Sequence, residues 1–520
     1  GSVYGGGDVA NVGTTKAAAT KFDQGTFKDL DTFTSYVNVR GGAIFSPVFA
    51  GGKGRTAAVC HDYKQLGGIY GNACVVTDRP VATYPYCLTA TGNSSSTNSG
   101  SSTSSTQFSS ESINPAEEKY LEHPADDVNP DLTTNIFNRV YGGGENGTIF
   151  GNTLVAIHDG QLSYNIYGGG WGNTSSIMVN NVENTQLTFA DVTGNTHLNI
   201  SGGEMRLTSY WLNNTRFWEP STIINGKTYS PQYDPTTQKF KINHNIYGGG
   251  NVASVIGEKD ADGNLVAGSG NTYLYMSRGL LYKTTQVLSG ETQTDFFSTD
   301  EWKEVYNKVG SPHFCVFGGG YGENTVILGD THLNIEMSER GSIHDKDFDI
   351  KEGEAYKHFV SGYSVMDFVG GGFSGKVEGD THISGRGGGF CRRVFGGGFY
   401  NSVKNTHVDI KAIDCTDVFG GGLMGDVLEN TNIAIGTDNN ADNTPFTNAD
   451  IYIHGDVYGG NDVSGYVNVG LDKRGYFADN GGDGTHINIS GGHVYGNVYG
   501  AGNGDYLYAL DRKGNTQVTV

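Results

Sequence analysis

Short runs in which apolar and polar residues alternate recur along the whole chain. The clearest are Thr331-His332-Leu333-Asn334-Ile335, Thr381-His382-Ile383, Thr406-His407-Val408-Asp409-Ile410 and Thr431-Asn432-Ile433-Ala434-Ile435. A period of two is that of a strand with one buried face, and no helical spacing accompanies these runs. Each follows an Asn or Asp, and between them stands a second block, an aromatic residue followed by three glycines. Tyr4, Tyr141, Tyr167, Tyr247, Phe317, Phe395 and Phe419 lead such blocks, with a variant led by Val369 and weaker copies at Tyr458 and Tyr499.

Spacing turns this pattern into an architecture. Val140 and Ile166 lie 26 residues apart, Phe395 and Phe419 lie 24 apart, and Asp380, Asn405 and Asn430 fall at intervals of 25. A repeat of that length implies stacked supersecondary units. One period holds two or three short strands rich in Val, Ile, Thr and aromatics, divided by Gly, Asn and Asp. The expected fold is therefore all-β, a single-stranded parallel β-helix (a β-solenoid) of about 25 residues per coil. With neighbouring strands ~4.8 Å apart, each repeated residue should sit above its copy. The aromatic leaders then form a ladder of rings, the glycines permit positive φ or close backbone approach, and the Asn and Asp side chains bond neighbouring backbone. On this reading residues 1–520 form one continuous column, expected to be a piece of a longer protein.

Three segments break the period and are read as insertions: 80–135, Ser-rich and then acidic; 205–245, an aromatic, hairpin-like excursion; and 277–312. The last carries a short helix signal, Ser298 with Glu301 as a capping box ahead of Trp302, Val305, Tyr306 and Val309. Because loops on a rigid scaffold tend to carry function, binding is expected of Tyr210, Trp211, Trp218, Tyr229, Tyr233 and Trp302. Function is to be sought where the glycine block is missing, above all between Tyr167 and Phe317.

Composition narrows the partners. Charged residues make up 17% of the chain, below the usual ~25%, so stability should come from ladders. A net charge of −21 argues against nucleic acid or an anionic membrane as partner. No apolar run approaches the ~18 residues of a membrane-spanning helix. Nucleophile elbows, phosphate-binding loops and zinc signatures are all missing.

Candidate chemistry is sparse. His197, His332, His382, His407 and His486 each follow the repeated Thr and should form a row of imidazoles on one face, read as solvent-facing polar residues, with a metal or glycan ligand as the alternative. No cofactor is expected other than calcium, for which Asp126, Asp127, Asn129 and Asp131 offer an oxygen-rich cluster. Asp260-Ala261-Asp262-Gly263-Asn264 opens like a calcium loop, but Leu265 stands where such a loop needs Gly, and a polar hairpin turn is the simpler reading. Cys391 and Cys415 should stack at about the Cα separation a disulfide accepts, as a vertical bridge or as two buried thiols.

The alternation of Val-Tyr/Phe-Gly-Gly-Gly with Gly-Asn/Asp-Thr, best seen at 140–157, 194–203, 316–335 and 394–410, resembles large Gly-rich repeat proteins on the surface of Bacteroidota from gut and mouth. The resemblance implies a secreted or outer-membrane-associated β-helix with an adhesive or scaffolding role, and it brings no catalytic residues. Its insertions would meet a glycan or a host or bacterial surface protein, and self-association is compatible with it. The competing class is a polysaccharide lyase or glycoside hydrolase on the same scaffold, which needs paired carboxylates or a Lys/Arg base near an acidic sugar; Glu204 with Arg206, or Arg392 with Arg393, would serve, but neither pair sits in a recognisable motif.

Overall fold

The computed structural model describes residues 1–22, 33–41, 43–44, 46–54, 66–78, 135–136, 138–162, 164–172, 175–179, 182–187, 190–212, 215–224, 227–229, 233–234, 239–240, 245–284, 315–335, 364–386, 390–436, 451–471, 477–479, 484–504 and 516–519. Among the described residues every regular element is a strand, and none is a helix. The helix signal at 298–309 and the acidic cluster at 126–131 lie outside them.

Two long sheets of parallel strands dominate. The first, the aromatic sheet, runs from Val3–Tyr4 through Val48–Phe49, Val140–Tyr141, Ile166–Tyr167, Ile246–Tyr247 and Val316–Phe317 to Ser364–Val369, Phe390–Phe395 and Asp414–Phe419, and on to Val457–Tyr458 and Val498–Tyr499. The second, the threonine sheet, runs through Asn72–Thr77, Thr153–Ile157, Thr196–Leu212, Thr272–Thr284, Thr331–Ile335, Thr381–Gly385, Thr406–Ile410, Thr431–Ile435 and Thr485–Ile489. In both, the order in space is the order along the chain. A narrower third line of pairing joins Ile149, Val192, Val255 and Ile327, and then Val403, Val427 and Val467. The described residues thus form an all-β stack dominated by parallel strands, compatible with a parallel β-helix.

Alternation sets what faces inward. In Thr331–Ile335 the Thr, Leu and Ile are buried while His332 and Asn334 are half-buried. Leu198, Leu274, Leu333, Ile383, Val408 and Ile433 occupy the same register on successive strands and belong to one continuous core.

A hydrogen bond couples the two repeated motifs. Thr153 Oγ1 donates to Gly168 O at 2.7 Å, Thr196 to Gly248 at 2.7 Å, Thr272 to Gly318 at 2.6 Å, Thr331 to Gly370 at 2.6 Å and Thr406 to Gly420 at 2.5 Å. Each threonine on one sheet therefore satisfies the first glycine carbonyl of the next rung on the other. Left unpaired, that buried carbonyl would cost ~1–3 kcal/mol. The glycines are required by crowding: a Cβ on Gly168 would lie 2.1 Å from Gly248 O, and one on Gly169 2.9 Å from Gly250 N. No triplet glycine has positive φ, so of the two expected roles close approach is the one used.

The aromatic leaders stack as expected. Tyr4, Phe49, Tyr141, Tyr167, Tyr247 and Phe317 form an unbroken pile with centroids 4.8–5.0 Å apart and planes within 7°. Phe49 escaped the sequence pattern because Ala50 replaces its first glycine. Val369 interrupts the pile, and Phe399 fills the gap from the side, edge-on to Phe317 at 5.2 Å and to Phe395 at 5.5 Å. Stacking resumes through Phe395, Phe419, Tyr458 and Tyr499. Beside it runs an Asn/Asp ladder: Asn152 Oδ1 accepts from Asn195 N, Asn195 from Asn271 N, Asn271 from Asp330 N and Asp330 from Asp380 N, at 2.7–2.9 Å.

Cys391 and Cys415 are register partners on adjacent strands and both are buried. The proposed bridge is not formed: the sulfurs are not joined, and Cys415 is a free thiol. In-register parallel strands hold equivalent side chains ~4.8 Å apart and pointing the same way, whereas a disulfide draws its Cβ atoms to ~3.8 Å with a dihedral near 90°.

Candidate functional site

The corners after three successive glycine triplets carry aromatic residues. Tyr321, Phe373 and Phe399 each follow a triplet directly, and their amides donate to the rung below, to Gly250 O, Gly320 O and Gly372 O at 2.9–3.1 Å. The corner backbone is therefore fixed by the same ladder as the core. Tyr321 and Phe373 stack at 5.3 Å, and Tyr400 meets Phe373 edge-on at 5.1 Å. Tyr400 is 48% exposed.

Around these rings lies a groove of about 640 Å³ lined by Tyr321, Gly322, Glu323, Phe373, Ser374, Tyr400 and Asn401, within the size range of small-ligand sites. Ser374 Oγ accepts from Gly322 N at 3.2 Å, and Asn401 Nδ2 donates to Ser374 O at 3.1 Å, which holds the polar rim in place. Glu323 is exposed at the mouth. The combination offers ring faces for an apolar surface and a carboxylate to accept from hydroxyl groups.

The expected imidazole row exists on the outer face of the threonine sheet. His197, Tyr273, His332, His382 and His407 stack with centroids 4.7–5.1 Å apart, and Asn432 and His486 continue the register. Its lower end is covered. The N-terminal segment lies across it, with Ala17 N donating to Phe150 O, Phe22 N to His197 Nε2 at 3.2 Å, and Lys21 Nζ 5.1 Å from the Tyr273 ring. Burial pushes His197 down to about 3 and His332 to about 4. Higher up the row opens: His407 is 42% exposed in its side chain. Burial and then the His407 imidazole hold His382 below the ordinary histidine value.

A second aromatic patch, half-buried at Tyr452 and His454 and exposed at His493 and Tyr495, sits on the aromatic sheet, where Tyr452 stacks on His493 at 5.1 Å and His454 on Tyr495 at 5.7 Å.

Compared with protein-family models, curated proteins and solved structures, the chain matches none.

The residues expected to bind fall differently. Tyr210 and Trp211 lie on Thr196–Leu212 and Trp218 on Thr215–Ile224, an antiparallel pair in which Trp211 registers with Arg216 and Ser209 with Trp218. Tyr229 and Tyr233 lie on two further short strands, Lys227–Tyr229 and Tyr233–Asp234. The backbone thus gathers Tyr210, Trp211 and Trp218 on one hairpin. Trp302, Asp126, Asp127, Asn129 and Asp131 lie outside the described residues. Asp260 closes a hairpin turn, its Oδ1 accepting from Asp262 N and Asn264 N at 3.0 and 2.8 Å. Arg393 is not a surface base: its Nε and Nη2 pair with both Asp367 oxygens at 2.8 Å, its Nη1 reaches Asp462 at 3.0 Å, and Asp367 is wholly buried.

The groove lies directly after glycine triplets, whereas the expected binding residues lie where the glycine block is absent. The available signal was the aromatic residue directly after three consecutive triplets, Tyr321, Phe373 and Phe399-Tyr400.

Proposed function

We propose that this chain is a secreted or cell-surface protein that winds as a single-stranded parallel β-helix of about 25 residues per coil and binds glycans, in an adhesive or structural role. The winding is supported by two sheets whose spatial order follows the chain and by Thr-to-Gly bonds that step from one rung to the next. The observation that carries the binding role is the groove of Tyr321, Phe373 and Tyr400 beside Glu323. A pyranose presents an apolar face and a rim of hydroxyls, which suit a half-exposed ring and a carboxylate. No helix of the described residues is long and apolar enough to cross a membrane.

The alternative, a polysaccharide-cleaving enzyme, loses one of its candidate bases in the Arg393 ion pair. A glycan array read together with mass spectrometry of the recovered sugars separates the two readings. Retention of intact oligosaccharide supports the binding role. New reducing ends or unsaturated products overturn it.

A further inference from the structure

We propose that Asp380, His382 and His407 form a site for a divalent first-row transition ion, with zinc as the reference case. The three residues come from neighbouring rungs: Asp380 and His382 flank the repeated Thr381, and His407 registers directly above His382. One ligand atom from each lies within 4.8 Å of the others. The two imidazoles are parallel to within 6° at 4.7 Å, and Asp380 Oδ2 is 4.0 Å from His407 Nε2.

Three observations support this rung. First, the ring nitrogens of His382 and His407 make no hydrogen bond among the described residues, whereas His197 is engaged by Phe22 N and Thr153 O. Second, Asp380 is held in place without being used up: Oδ1 accepts from Asn405 Nδ2 at 3.0 Å, which leaves Oδ2 facing the imidazoles. Third, the cluster is open, with side chains 42% and 29% exposed for His407 and Asp380, and Asn432 ends the run of histidines above it.

Ligand separation and donor type define the ion. Bonds of ~2.0–2.1 Å in tetrahedral geometry place donors ~3.4 Å apart, so the site closes by about an ångström through side-chain rotation that this exposure permits. Two imidazoles and one carboxylate favour zinc, cobalt, nickel or copper over calcium or magnesium. The remaining coordination positions go to water.

The rest of the ladder supplies the test variants. Asn432 stands naturally at the histidine position and Asn405 at the aspartate position, so His382→Asn, His407→Asn and Asp380→Asn copy residues this fold already accepts. The full chain, stripped with EDTA, is titrated with zinc chloride by calorimetry and with cobalt chloride by visible absorption. The expected result is saturable binding of an ion at this site, weakened at least about tenfold by each of the three substitutions, unchanged in His486→Asn, and not displaced by excess calcium. Zinc should also raise the melting temperature of the wild type and not that of the His382→Asn/His407→Asn double variant, with urea midpoints confirming that the variants fold. Absence of zinc binding, binding of undiminished affinity in the three variants, or displacement by calcium would each overturn the assignment.

Discussion

At the scale of single residues, the two repeated motifs are halves of one interaction. Thr331→Val removes the hydroxyl that satisfies Gly370 O and keeps the side-chain shape, so it should cost about 1–3 kcal/mol, read from urea unfolding; an unchanged midpoint would mean the carbonyl finds another donor. Gly396→Ala is more severe, since its Cβ would lie 2.2 Å from Gly420 O, and this variant should fail to accumulate as folded protein. His197 gives a pH signature. Its ordinary value near 6.5 is pushed down to about 3 by burial, so between those limits the unfolded chain binds a proton that the folded chain refuses. Stability should be full above about pH 6.5 and fall as the pH drops, by about 1.4 kcal/mol per pH unit from this group. His197→Leu, which copies Leu154 of the rung below, should make the decline of urea midpoints between pH 6 and 4 shallower, with buried His158 and His332 supplying what remains. An equally steep decline in that variant would remove His197 as the cause.

At the scale of elements, the aromatic pile and its one interruption can be tested together. Val369 sits where a ring belongs, and Phe399 enters edge-on against Phe317 and Phe395. Phe399→Ala should cost about 3–5 kcal/mol, and Val369→Phe alone should destabilise by overpacking, about 1–3 kcal/mol. Combined, they replace a side-inserted ring by a stacked one, so the double variant should be more stable than the sum of the two losses predicts. Strict additivity would show that the two positions do not share the space. The alternating strands, the aromatic ladder and the Asn/Asp ladder were all legible in the sequence, because each rests on a residue repeated at one register. Phe49 and Phe399 were not: the first lost its glycine signature to Ala50, and the second acts across rungs, where spacing along the chain carries no information. Cys391 and Cys415 illustrate the limit from the other side. Their register was readable, but whether two in-register thiols join depends on side-chain direction.

At the scale of the whole molecule, the ladders make a rigid, sparsely charged scaffold, and what distinguishes one part of its surface from another is which ring follows a glycine triplet. Where Asn251 follows, the corner is polar; where Tyr321, Phe373 and Phe399-Tyr400 follow in succession, a groove opens. The repeat therefore builds the candidate site as well as the scaffold, and the site could not be found by searching only the gaps between repeats. Tyr400 tests this most directly, because its ring is half exposed and lies outside the stacked core. Calorimetric titration of wild type and Tyr400→Ala with the oligosaccharide best retained on the array should show binding at least about tenfold weaker in the variant, equivalent to ~1.4 kcal/mol, with the melting temperature unchanged. Equal affinity in the two proteins would contradict the claim that this groove is the binding surface.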